Sequence, residues 1–166
     1  MCKIVLALDQ ALETSGYGVF ENNNLIHSGT FKVNKDQEIH ERLVEFAGNL
    51  SKLHERFCFD FVAFEGIQYQ NNAETHKKLA YVQATLILWC YDKGIRYTII
   101  PPSAWRCELG GGFGKTRKEQ KARAIEYVKE RFGTEVTSDE ADAICIGCAC
   151  ISILGKERDQ AWTPTQ

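Results

Sequence analysis

Apolar and polar positions change period several times along the chain, and each change marks an element. Residues 3–9, Lys-Ile-Val-Leu-Ala-Leu-Asp, put five apolar residues in a row. They read as a strand covered on both faces and ending on the carboxylate Asp9. Residues 14–20 follow as a second strand, with Gly16 and Gly18 admitting close backbone approach. Glu21-Asn-Asn-Asn24 is a turn, since Asn tolerates positive φ, and residues 25–33 return as a third strand. These three form an antiparallel meander. From Ile39 the period lengthens: Ile39, Leu43, Phe46, Leu50, Leu53 and Phe57 make one stripe of an amphipathic helix. Residues 60–65, Asp-Phe-Val-Ala-Phe-Glu, are again a buried strand, and it too ends on an acid, Glu65.

The second half continues in the same way. Asn71 precedes Glu74 by three, a helix-start signature, and the helix runs to about Asp92. Its later part is apolar on two faces, Leu79, Val82, Leu86 and Trp89 against Ala80, Ala84 and Ile87. One face covers the sheet, and the other is expected to meet a second copy of the chain, making a homodimer through the 72–92 helix. Residues 95–100 form a fifth strand, stopped by Pro101-Pro102. A glycine loop, 110–114, leads to the capping box Thr116–Glu119 and a helix to about Phe132; Thr137–Glu140 opens the last helix, to about Leu154. The pattern predicts an α/β domain over 1–155, a five-stranded sheet flanked by helices, followed by a polar tail, 156–166.

Composition changes this picture little. With 166 residues, 44% hydrophobic and 25% charged, the chain suits one globular domain, and no apolar run reaches membrane-spanning length. Seven cysteines, most in apolar runs (Cys58, Cys90, Cys145, Cys148, Cys150), suit reduced buried thiols in a cytoplasm better than disulfides. A net charge of −2 argues against indiscriminate nucleic-acid binding but leaves room for a local basic face.

The candidate chemistry lies in the acids. Asp139 and Asp142 are three apart on the last helix and project from one face near its start. With Asp9 and Glu65 they make four carboxylates from separate elements, which repel unless cations neutralise them. Oxygen donors without Cys or His select Mg²⁺, with Mn²⁺ able to substitute, and two such ions serve phosphodiester hydrolysis. A strand-end Asp alone is usually a turn residue, and Asp139 alone could complement the helix dipole; the four together point to chemistry. Glu140, fourth in its box, is expected to bond backbone instead.

These motifs resemble the RuvC family of Holliday junction resolvases, and most closely its bacteriophage-type members. The likeness rests on Leu8-Asp9 with Ser15-Gly-Tyr-Gly18, Phe64-Glu65, Asn72-Ala73 with Lys78-Leu79, Arg117-Lys-Glu-Gln-Lys121, and Asp139-Glu-Ala-Asp-Ala143. It implies an RNase H-like fold, two metal ions on Asp9, Glu65, Asp139 and Asp142, and a homodimer nicking a four-way junction symmetrically. It also implies a lysine near the active site, matched by Lys118, and a basic residue near Arg106. Members often carry Pro-Gly after the first acid, where this chain has Gln10-Ala11. Many place an aromatic wedge where Gln68 stands, with Tyr69 next to it.

The residues point to nucleic acid independently. Lys115, Arg117, Lys118, Lys121 and Arg123 face one acid, Glu119, and cations in a first helical turn oppose the dipole unless an anion docks there. Lys77 and Lys78 with the amides Gln68, Gln70, Asn71 and Asn72 are expected to line the groove from the other side. The glycine loop before Lys115 is one position short of a P-loop, Leu109 standing where Gly is required. The expected function is therefore a metal-dependent endonuclease for Holliday junctions or other branched DNA. A fork, flap or RNA–DNA hybrid nuclease on the same scaffold is the alternative.

Overall fold

A computed structural model describes residues 4–68 and 72–160, the side chains of 157–160 excepted. Among these residues five strands form one mixed sheet: β1 (Ile4–Asp9), β2 (Thr14–Glu21), β3 (Asn24–Lys32), β4 (Phe61–Glu65) and β5 (Arg96–Ile100). Their order is β3-β2-β1-β4-β5. The helices are α1 (Ile39–Phe57), α2 (Ala73–Asp92), α3 (Pro102–Glu108), α4 (Arg117–Phe132) and α5 (Ser138–Gln160). β1 to β3 pair antiparallel, as the meander predicts, while β4 runs parallel to β1 and to β5. Parallel pairing with Leu8 opposite Phe64 brings the C-terminal ends of β1 and β4 to the same edge of the sheet.

Alternation along β1 and β4 divides the interior in two. Leu6, Leu8, Val62 and Phe64 face α1 and α2, where Phe46, Leu50, Val82 and Leu86 cover them. Val5, Ala7 and Ala63 face the other way, onto Trp105, Val128, Ile144 and Ala149 of α3, α4 and α5. Complete burial of a Leu or Phe at such a position stabilises the fold by about 1.5–3 kcal/mol. Two glycines let α5 lie close on the sheet. A Cβ on Gly147 would run into the Phe20 ring, and one on Gly16 into the backbone carbonyl of Asp139.

Four expectations need correction. Asn72, not Asn71, caps α2, its Oδ1 accepting from the N–H groups of Glu74 and Thr75 at 3.0 and 3.2 Å; Asn71 lies outside the described residues. Pro101-Pro102 does not merely stop β5 but starts α3, because a proline in the first turn has no amide to lose to the helix. α5 passes Leu154 and continues to Gln160, as one Gly155 costs a helix only about 1 kcal/mol and Lys156 pairs with Glu108. Cys58 is exposed, at the left-handed C-cap of α1 (φ 50°), whereas Cys90, Cys145 and Cys148 are buried thiols.

Candidate active site

Asp9 and Glu65 end adjacent parallel strands, and Gly16, the cross-strand partner of Asp9, carries the first turn of α5. The start of that helix supplies Asp139 in its first turn and Asp142 just beyond it. All four acids line one cleft, together with Gln10, Thr14, Gln68, Thr75, Arg106, Arg117, Gln120 and Lys121.

The acids feel one another. Burial, then Asp142, Glu65 and Asp139 in turn, raise the Asp9 carboxyl well above the usual range. Burial and Glu65 push Asp142 up to about 6, against the pull of Lys121 and Arg106. Glu65 is raised by burial and drawn back by a hydrogen bond from Trp105 and by the charges of Arg106 and Arg117. Trp105 Nε1 donates to Glu65 Oε1 at 2.9 Å, and Arg106 Nη2 lies 4.0 Å from the same oxygen. Gln10 Nε2 donates to the Glu65 backbone carbonyl at 2.6 Å, so this residue is held at both its side chain and its backbone.

Among the described residues no three acid, thiol or imidazole groups are already gathered about one point as a metal cage. Yet the carboxylates are close enough to raise one another's pKa. The donor set fits a hard divalent ion: it is all oxygen, it is partly desolvated, and the buried Gln10 Oε1 beside it lacks a hydrogen-bond partner.

The expected basic residues divide. Arg106, Arg117 and Lys121 line the cleft, and Lys121 Nζ lies 3.2 Å from Asp139 Oδ1. Lys118, expected beside the acids, is exposed and lies off the cleft wall, because positions 117, 120 and 121 form the inward face of α4. Lys115 is also exposed, off the wall, its amide donating to Glu119. Lys77 and Lys78 stand on the exposed side of α2, over Tyr81 and beside Glu74, while Thr75 and Leu79 face the cleft. Asn72 is occupied as a cap. Tyr69 and Gln70 lie outside the described residues. Glu140 bonds the backbone N–H of Thr137, as its box requires. Sequence reasoning missed Trp105, Gln10, Thr14 and Gln120; the signal for Trp105 was its place one turn after a helix-starting proline.

The family model for crossover junction endodeoxyribonuclease RuvC matches residues 5–150. The chain belongs to the RuvC family. It is a member of a family of Holliday junction endonucleases, on an RNase H-like α/β fold. RuvC of Rickettsia akari is 28% identical over 151 residues, spanning 89% of this chain and 96% of that protein. Thermus thermophilus RuvC, solved with a Holliday junction substrate, superposes with a TM-score of 0.76 at 16% identity, covering 92% of this chain and 96% of that one. The yeast mitochondrial Holliday junction resolvase gives 0.67 at 15% identity, covering 95% and 81%. At these identities the structural likeness speaks for the fold.

Proposed function

We propose that this RuvC-family chain cuts four-way DNA junctions with the cleft acids Asp9, Glu65, Asp139 and Asp142 holding two Mg²⁺ ions, which Mn²⁺ can replace. The observation that carries this reading is the convergence of the four acids in a cleft walled by Arg106, Arg117 and Lys121. Bound ions would supply an activated water nucleophile and charge relief at the leaving oxygen, giving 5′-phosphate and 3′-hydroxyl ends.

The protein's own part is to hold and screen. Trp105 and Gln10 fix the direction of Glu65. Arg106 and Arg117 receive phosphate oxygens at the rim. Lys118 on the first turn of α4 is the basic residue that assists at the scissile phosphate, with Arg117 and Lys121 beside it on the same helix, and Lys115, Lys77, Lys78, Gln68 and Asn72 belong to the wider DNA surface with Tyr69 and Asn71. Residues 1–155 make up the nuclease domain.

Paired, opposed nicks need two such sites, and a homodimer through the 72–92 helix supplies them. Of the face expected to meet a partner only Ala84 is exposed, since Ala80 is half-buried and Ile87 packs against the core; the open stripe on α2 is instead Tyr81, Ala84, Leu88 and Tyr91, with Leu88 67% and Tyr91 85% accessible. Exposed Tyr97 and Ile99 extend it onto β5. The motif pattern and the free thiols Cys58, Cys90, Cys107, Cys145 and Cys148 favour a bacteriophage-type member acting in a reducing bacterial cytoplasm.

The test uses labelled four-way, three-way and linear DNA with Mg²⁺ or EDTA, and wild-type or Asp142→Asn protein. The expected result is resealable paired nicks in four-way DNA, in Mg²⁺ only, with the variant binding but not cutting. Wild-type cleavage by the variant, or cleavage in EDTA, would remove the assignment; preference for forks or hybrids would move the substrate class.

A further inference from the structure

Among the described residues, Asp139 is the one cleft acid in an ion pair at hydrogen-bond distance. Lys121 reaches it from α4, Nζ 3.2 Å from Asp139 Oδ1 and 3.0 Å from Ser138 Oγ. Both side chains are only about one-third accessible, 33% and 31%. The ammonium thus sits inside the acid cleft, on the wall shared with Arg117 and Gln120. A lysine so placed competes with any cation for that carboxylate. It is also the kind of group that lets go, being a compact charge on a flexible stem, whereas an arginine fork would lock on through two bonds.

We propose that Lys121 is a resident counter-ion of the site, occupying Asp139 in the DNA-free protein. The first divalent ion then enters on Asp9, Glu65 and Asp142, and a second is taken up only once a DNA phosphate draws the ammonium away. This rests on the metal-centre reading above. The cleft charge supports it: four acids face the cations Lys121, Arg106 and Arg117, leaving a formal −1, which one divalent ion more than neutralises. A divalent ion and an ammonium about 5 Å apart oppose each other by about tenfold in affinity even at the dielectric constant of water. Phosphate binding at Lys121 and uptake of the second ion are then coupled, each strengthening the other by the same factor.

The experiment is a Mn²⁺ titration of the DNA-free full chain, followed by the electron paramagnetic resonance signal of unbound Mn²⁺, for wild type, Lys121→Met, Lys121→Gln and Lys121→Arg. Wild type and Lys121→Arg are expected to take up one ion tightly per chain. Lys121→Met and Lys121→Gln are expected to bind a second at least about tenfold more tightly than wild type does. A mere clip between α4 and α5 predicts a lower melting temperature with unmoved isotherms. Isotherms that superimpose, in whichever of the two neutral variants folds, overturn the proposal while leaving the metal centre standing. No Mn²⁺ uptake by any of the proteins overturns the metal-centre reading itself.

Discussion

The indole N–H of Trp105 donates to Glu65 Oε1 at 2.9 Å, and the same ring meets Phe113 edge-on at 5.1 Å. One buried side chain therefore closes the interior on one side and aims a carboxylate on the other. Trp105→Phe keeps most of the packing and deletes the donor. The ionised form of Glu65 loses support, so its pKa rises and the acid limb of the pH–rate profile moves to higher pH. A charge-assisted hydrogen bond contributes about 1.5–3 kcal/mol, and less for this partly accessible group, so the loss should show on the acid limb, by up to about tenfold there, and much less at neutral pH. An unmoved acid limb would assign Trp105 to packing alone.

Asp142 gives a pH dependence of definite sign. Its folded-state pKa, about 6, lies above the ordinary aspartate value of 3.8, so between these values the folded chain binds more protons than the unfolded one. Its contribution to stability is present below pH 3.8 and lost as pH rises through 6, by at most about 3 kcal/mol before solvent screening. In EDTA, melting curves should show Asp142→Asn gaining on wild type from pH 4 to pH 7. Added Mg²⁺ should stabilise wild type at pH 7 and have little effect at pH 4.5.

Gly16→Ala tests the joint between sheet and helix. The added methyl meets the Asp139 carbonyl, which is backbone and cannot swing aside. Overpacking of this kind costs about 1–3 kcal/mol. Because the strain falls on the first turn of α5, which carries Asp139 and leads into Asp142, cleavage should drop by far more than the shift in thermal midpoint implies.

Leu88→Glu places a charge in the exposed stripe of α2. Sedimentation should show wild-type dimers becoming monomers, with the melting of each chain little changed. The monomer should then give single rather than paired nicks.

Arg117 lines the cleft and Lys118 does not. Replacing Lys118 by Ala should slow cleavage, as should replacing Arg117, and each lost phosphate contact lowers the slope of log affinity against log salt by about 0.9. Undiminished cleavage by the Lys118 variant would take Lys118 out of the site.

The acids were legible because two buried strands each end on a carboxylate, and nothing in a core explains that. Asp139 and Asp142 followed from helical spacing. Trp105 was hidden behind Pro101-Pro102, which signal the end of a strand and the start of a helix equally well. Its pairing with Glu65 crosses 40 residues and depends on tertiary placement. That Lys121 meets Asp139 is a matter of helical phase, visible only when α4 is laid on α5. Asn71 and Asn72 both suit a cap, and one-residue differences of this kind lie below what local chemistry resolves.

α5 is at once the bearer of Asp139 and Asp142 and a wall of the interior, with Ile144, Cys145, Ile146 and Ala149 fully covered. Amide hydrogen exchange along it should therefore proceed only through global opening, while the glycine segment before α4 exchanges by local fluctuation. The acids persist in place as long as the domain holds together, and loosening confined to the rim can alter what enters the cleft without dispersing them.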